Sequence, residues 1–176
     1  MFNPRRRSGW SANRAKKFHR KFILDVFDNL HGASRAYLSV ARKNCKSALI
    51  TAILLAHLVG PEARQNSQII SGARSRDQAS LVFKLAEKMV RLSPELSKIV
   101  RIIPSQKMLV GLICNIEFKA ISAEDGTAHG LSPVLAILDE LGQVRGPQDA
   151  FVEAIETALR NMAAKLDNIE QALRKK

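Results

Sequence analysis

Between Lys46 and Leu58 the chain is apolar on nearly every face, and it stops abruptly at Gly60-Pro61. A helix of that kind has to be buried inside a domain, with other elements layered around it. The flanking sequence supplies those layers. Ala36–Ala41 is short and mainly apolar with no helical stripe, which predicts a buried strand just before the helix. Gln68–Gly72 reads as a second strand. Arg76–Leu92 reads as an amphipathic helix with Ala79, Val82, Phe83, Ala86 and Val90 on one side, ending before Ser93-Pro94. From Val100 to Ser122 the pattern is strand-like, with turns near Pro104 and Gly111. There Asn115, Glu117 and Lys119 alternate with Ile116, Phe118 and Ala120, as on a half-buried strand. Ala123–Pro133 is rich in small and turn residues, and Leu135–Leu138 is the next buried strand. Strand, helix, strand, helix and strand in this order predict an α/β domain, a parallel sheet flanked by helices.

The connection into the first helix is Val40-Ala41-Arg42-Lys43-Asn44-Cys45-Lys46-Ser47. It ends in the Lys-Ser pair of a phosphate loop, G-x-x-x-x-G-K-[ST], but Cys45 occupies the place of the second glycine. A nucleoside triphosphate carries several negative charges that a site must neutralise away from bulk water. Backbone N–H groups of a loop entering a helix do this, together with the positive helix end. Arg42, Lys43, Asn44, Cys45, Lys46 and Ser47 are the binding candidates. Lys46 adds a point charge at the outer phosphates, and the Ser47 hydroxyl is a ligand for Mg²⁺. Some ninety residues later, Leu135-Ala136-Ile137-Leu138-Asp139-Glu140 is an apolar strand ending in two acids. Asp139 is suited to hold the metal, usually through water, and Glu140 to polarise an attacking water. Arg42 is near enough to meet charge developing on the γ-phosphate. Both segments follow strands, and parallel sheets bind ligands at the carboxyl ends of their strands. The pattern is that of a nucleotide-hydrolysing P-loop domain.

Cys45 is the fault in the pattern. Glycine there lets the backbone take positive φ and approach phosphate closely; a β-carbon costs roughly 1–2 kcal/mol and fills space. The expectation is weakened nucleotide binding. A redox-sensitive thiol is an alternative, since Cys45 stands beside Lys46 at a helix start. His57 reads as a satisfied packing residue on its apolar helix. His129 sits in the turn-rich approach to the acidic strand, and Trp10 lies in the basic arm.

The net charge of +12 is unevenly placed. Before Leu24 the chain holds Arg5, Arg6, Arg7, Arg14, Lys16, Lys17, Arg20 and Lys21 and no acid, so residues 1–21 form a basic arm suited to phosphate backbones or an acidic partner, or simply a solvated tail. Cys45 and Cys114 are too few for a disulfide framework or a zinc site. The longest apolar run is too short to span a bilayer, and the basic N-terminus lacks a signal peptide's apolar stretch. The expectation is a cytoplasmic protein with no membrane association. Residues 22–154 are assigned to the domain. Beyond them Ile155, Leu159, Met162, Leu166, Ile169 and Leu173 recur at spacings of four and three, an apolar seam on a C-terminal helix spanning 155–176. Such a seam either docks on its own domain, along the sheet edge, or provides self-association through 155–173.

At these residues the chain resembles the ATPase domain of tailed-phage terminase large subunits, the motors that package DNA into capsids. The resemblance runs from about Phe18 to Thr157. It rests on Ala41-Arg42-Lys43-Asn44, with its arginine early in the loop, on Ser71-Gly72-Ala73-Arg74-Ser75-Arg76-Asp77-Gln78, on Thr127-Ala128-His129-Gly130-Leu131-Ser132-Pro133, and on Leu138-Asp139-Glu140. It implies ATP and Mg²⁺ as cofactors, an arginine finger or sensor role for Arg42, double-stranded DNA as substrate, and the terminase small subunit and capsid portal as partners. His19 stands where many members carry a glutamine that reads adenine. After Thr157 the resemblance ends, and the expectation is an incomplete, prophage-like copy without the nuclease domain, impaired in hydrolysis by Cys45 and by truncation. The alternatives are a non-enzymatic DNA- or partner-binding remnant and an inactive pseudogene product.

Overall fold

A computed structural model describes residues 17–28, 35–41, 44–73, 75–122, 133–138 and 150–174. The chain forms two compact units, Met1–Cys45 and Lys46–Lys176.

The larger unit contains α2 (Lys46–Val59), β1 (Gln68–Ala73), α3 (Arg76–Leu92), α4 (Pro94–Ile99), β2 (Val100–Ile103), β3 (Met108–Gly111), β4 (Ile116–Ser122), β5 (Pro133–Leu138) and α5 (Ala150–Arg174). The strands form one sheet in the order β2-β3-β4-β1-β5. Central β1 is parallel to both neighbours, with Ile70 opposite Lys119 on β4 and Ala136 on β5. One strand departs from the expected parallel arrangement: β3 runs antiparallel to β2 and to β4. Its connections dictate that. Pro104–Gln106 form a single 3-10 turn closed by Lys107 at φ 49°, and Asn115 at φ 50° closes the next turn. Connections this short can only reverse the chain, because a parallel pair needs a crossover.

Helix α3 shows why the local sequence suffices for some elements. The Ser75 hydroxyl accepts the Gln78 N–H, capping the first turn. Ala79, Val82, Phe83, Ala86 and Val90 are all buried, as the periodicity predicts. Ser93 ends α3 and starts α4, accepting the Leu96 N–H while donating to the Glu95 carboxylate at 2.9 Å. Hydrogen bonding at this helix start, from the Glu95 backbone and then from Ser93, lowers the Glu95 pKa. Helix α2 is less enclosed than its composition predicts. Leu54 and Leu58 are fully buried, but Ala52 is exposed and His57 half-buried, with its Nδ1 2.9 Å from the Ile53 carbonyl. The small side chain of Ala52 lets the outward side of the helix meet solvent at little cost.

The two faces of the sheet are covered differently. Ile69, Phe118 and Ile137 pack under α2 and α3 in the main core. On the opposite face Ile70 and Ile121 meet Ile155 of α5, with Ala136, Leu138 and Leu159 around them. Next to this cluster Arg101, Glu117 and Lys119 are exposed on β2 and β4. The C-terminal helix is thus continuous, begins five residues earlier than its seam, and docks on the sheet face rather than along its edge. Strand edges offer only backbone groups, whereas the face offers the apolar surface that the seam needs to leave water. No helix among the described residues is long and apolar enough to cross a membrane.

In the smaller unit, α1 (Lys17–Phe27) takes up the last residues of the basic arm. Lys21 there pairs with Asp25 at 2.8 Å, both exposed. Residues 35–41 carry no strand, contrary to expectation, and Leu135–Leu138 pairs with β1 instead of with them. Exposure still alternates along the segment, with Leu38 and Val40 half-buried and Tyr37, Ser39 and Ala41 exposed. An alternating sequence can ask for a strand but cannot supply its ladder partner.

Candidate phosphate-binding site

The position of α2 in the larger unit follows from its far end. A methyl group at Gly111 would collide with the Leu58 carbonyl and come within 3.2 Å of Val59, so only glycine lets the last turn of α2 cross β3 here. Gly111 pairs with Ile116, the first residue of β4. The carboxyl end of α2 therefore lies at the starting edge of the parallel strands. Its 14 residues, about 21 Å, also pack against β4 and β1. Lys46 and Ser47 open the helix at its other end. Strands β1, β4 and β5 all finish at the same edge, and Asp139 is the residue after Leu138.

The local geometry at the start of α2 is specific. Cys45 is exposed and takes φ 58°, in the left-handed region. It shares that conformation with Asn66, Lys107 and Asn115 among the described residues. The two asparagines tolerate it well, and Asn115 Nδ2 also donates to Asn66 Oδ1 at 3.0 Å. Cysteine has no such compensation. Lys46 is half-buried and Ser47 exposed, and the Ser47 carbonyl accepts the Thr51 hydroxyl at 2.8 Å. The first turn of α2 carries no acid, which suits an anion at its amino end.

Upstream, Asn44 Nδ2 donates to the Ala41 carbonyl at 3.1 Å. The Asn44 carbonyl lies 3.0 Å from Nε2 of His19, a buried residue of α1 whose ring meets Phe18 edge-on at 4.2 Å. Sequence reasoning marked His19 only by its place in the family pattern and missed this bond. Its partner is a backbone carbonyl 25 residues away, which no side-chain pattern encodes. Arg42, Lys43, His129, Asp139 and Glu140 lie outside the described residues.

The comparisons with known proteins agree with this architecture. The family profile of the terminase large subunit, ATPase domain, matches residues 27–170, well past Thr157 and into α5. The large terminase subunit of Enterobacteria phage HK97 is 64% identical over 145 residues, covering 82% of this chain and 29% of that protein. The crystal structure of the HK97 large terminase superposes with a TM-score of 0.81 at 63% identity, covering 84% of this chain and 31% of the other. The chain therefore spans about a third of the length of these relatives. With a profile match over most of its length and this identity, the chain belongs to the family of terminase large subunit ATPase domains.

Proposed function

We propose that this chain binds ATP with Mg²⁺ at the amino end of α2 and is the ATP-hydrolysing part of a DNA-packaging motor, slowed by Cys45. The observation that carries the reading is the positive φ of Cys45 directly before Lys46 and Ser47. A phosphate cradle needs this backbone shape, and here it is adopted even without glycine. The residues fit the cofactor: an exposed hydroxyl for the metal, a lysine for the outer phosphates and a helix start without acids.

Bound MgATP supplies the phosphoryl group and a metal charge that offsets its negative oxygens. The chain's own residues do the rest. Backbone N–H groups of residues 43–47 bind the phosphates, Lys46 adds its ammonium, and the Ser47 hydroxyl and Asp139 carboxylate hold the metal. Glu140 orients the attacking water and accepts its proton. Arg42 meets the charge that grows on the transferred group. In this reading double-stranded DNA is bound by the basic arm, the terminase small subunit and capsid portal are the protein partners, and the setting is the host cytoplasm.

The test is ATP titration and turnover on the chain as it stands, beside Lys46→Ala and Cys45→Gly. The expected result is weak, Mg²⁺-dependent binding that Lys46→Ala abolishes and Cys45→Gly strengthens. An affinity untouched by Lys46→Ala would place any nucleotide elsewhere and end the proposal.

A further inference from the structure

We propose that His19 is a positioning residue that locks the Asn44–Cys45 peptide with its N–H available to phosphate; this rests on the nucleotide site proposed above. Three observations in the smaller unit carry it. A carbonyl oxygen can only accept, so His19 Nε2 must carry a proton and donate it to Asn44 O, at 3.0 Å. The ring is buried and meets Phe18 edge-on. The Asn44 side chain, bonded to Ala41 O, pins the same residue from its other end.

Peptide planarity turns the carbonyl's position into the amide's. In a trans peptide the C=O and the following N–H point in opposite directions, and no cis bond occurs among the described residues. Holding Asn44 O against α1 therefore aims the Cys45 N–H away from α1. The φ of Cys45 is the rotation between that same peptide plane and the rest of the residue, so the bond to His19 also restrains the left-handed conformation at 58°. Without the lock, a cysteine can relax by flipping this peptide. A flip would exchange the N–H for a carbonyl and present an oxygen to an anion. His19 thus compensates for the missing glycine: the bond holds what glycine would adopt freely.

The experiment uses the full chain and two probes, ATP and inorganic tripolyphosphate. His19→Leu keeps bulk and removes the donor, whereas His19→Gln keeps an N–H donor. A peptide lock predicts that His19→Leu weakens both probes by the same factor, about tenfold for one lost amide–phosphate bond, and that His19→Gln stays within about twofold on tripolyphosphate. Melting temperature is followed in parallel, and imidazole ¹⁵N spectra should show the Nε2-protonated tautomer. Loss of ATP affinity with tripolyphosphate unchanged would assign His19 to the base and overturn the lock. Equal weakening by Leu and Gln, or no weakening by Leu, would overturn it as well. A wild-type chain that binds neither probe would instead sink the nucleotide reading beneath it.

Discussion

Replacing Cys45 is the most direct probe of the site, because its φ of 58° puts two opposing costs on one residue. A β-carbon in the left-handed region costs roughly 1–2 kcal/mol. Glycine removes that strain but raises the entropy of the unfolded chain, which offsets about 0.5–1 kcal/mol. Cys45→Gly should therefore raise stability by up to about 1 kcal/mol, roughly 2–4 °C in melting temperature for a chain of this size. The gain in ATP affinity has a different origin. To the extent that the free loop relaxes out of the left-handed well, binding must restore it, and glycine abolishes that part of the cost. Its ceiling is the full strain, about fivefold to thirtyfold in Kd. A series separates strain from other effects of the thiol. Asparagine tolerates the left-handed region, alanine keeps the β-carbon without the sulfur, and valine adds branching. The expected order of stability and of affinity is Gly, then Asn, then Ala and Cys together, then Val. Thermal melts and ATP titrations at fixed Mg²⁺ read both. Alanine matching glycine in affinity would refute the backbone argument and leave the bulk of the sulfur as the obstacle.

Three further outcomes are expected. Ile155→Ala should destabilise the chain by about 2–3 kcal/mol, since Ile155 is fully buried but its cluster with Ile70 and Ile121 is small; an unchanged denaturation midpoint would show that α5 does not brace the sheet. Ser71→Ala should be neutral or stabilising by about 1 kcal/mol, because the Ser71 hydroxyl is buried on β1 with no hydrogen-bond partner among the described residues; a clear loss of stability would reveal a partner that the hydroxyl needs. DNA binding should be independent of sequence and fall by roughly one power of salt concentration per phosphate contacted; a chain beginning at Phe22 that binds equally well would exclude the basic arm.

The parts of the fold legible in the sequence are those whose cause is local. The stripe of α3 shows through because its apolar residues repeat every three or four positions between Ser75 and Ser93, and both serines cap. The alternation of β4 shows because one face of that strand meets the core and the other, with Glu117 and Lys119, meets water. What stayed hidden depends on partners. The direction of β3 is set by two tight turns, and the ladder expected for residues 36–41 depends on a strand that sequence cannot assign. The seam of α5 showed that a surface was needed but not which one. At the site, the replacement of glycine by Cys45 was legible because the loop pattern defines that position. The bond from His19 was not, because a main-chain carbonyl has no identity in sequence.

The placement of α5 bears on the order of β5 as well as on stability. Among the described residues β5 is an edge strand, held by its ladder with β1 on one side and by helices above and below. Leu138 and Ala136 belong to the small cluster around Ile155, so the last residues of β5 rest on α5. Asp139 is one residue further along. An edge strand has half the backbone bonds of a central one, so the side-chain cluster carries a larger share of what fixes its end. Weakening that cluster should then loosen the end of β5 before the main core opens, as local openings precede global ones. The C-terminal helix is in this sense part of what holds the end of β5, and the first two apolar positions of its seam, Ile155 and Leu159, already have their surface.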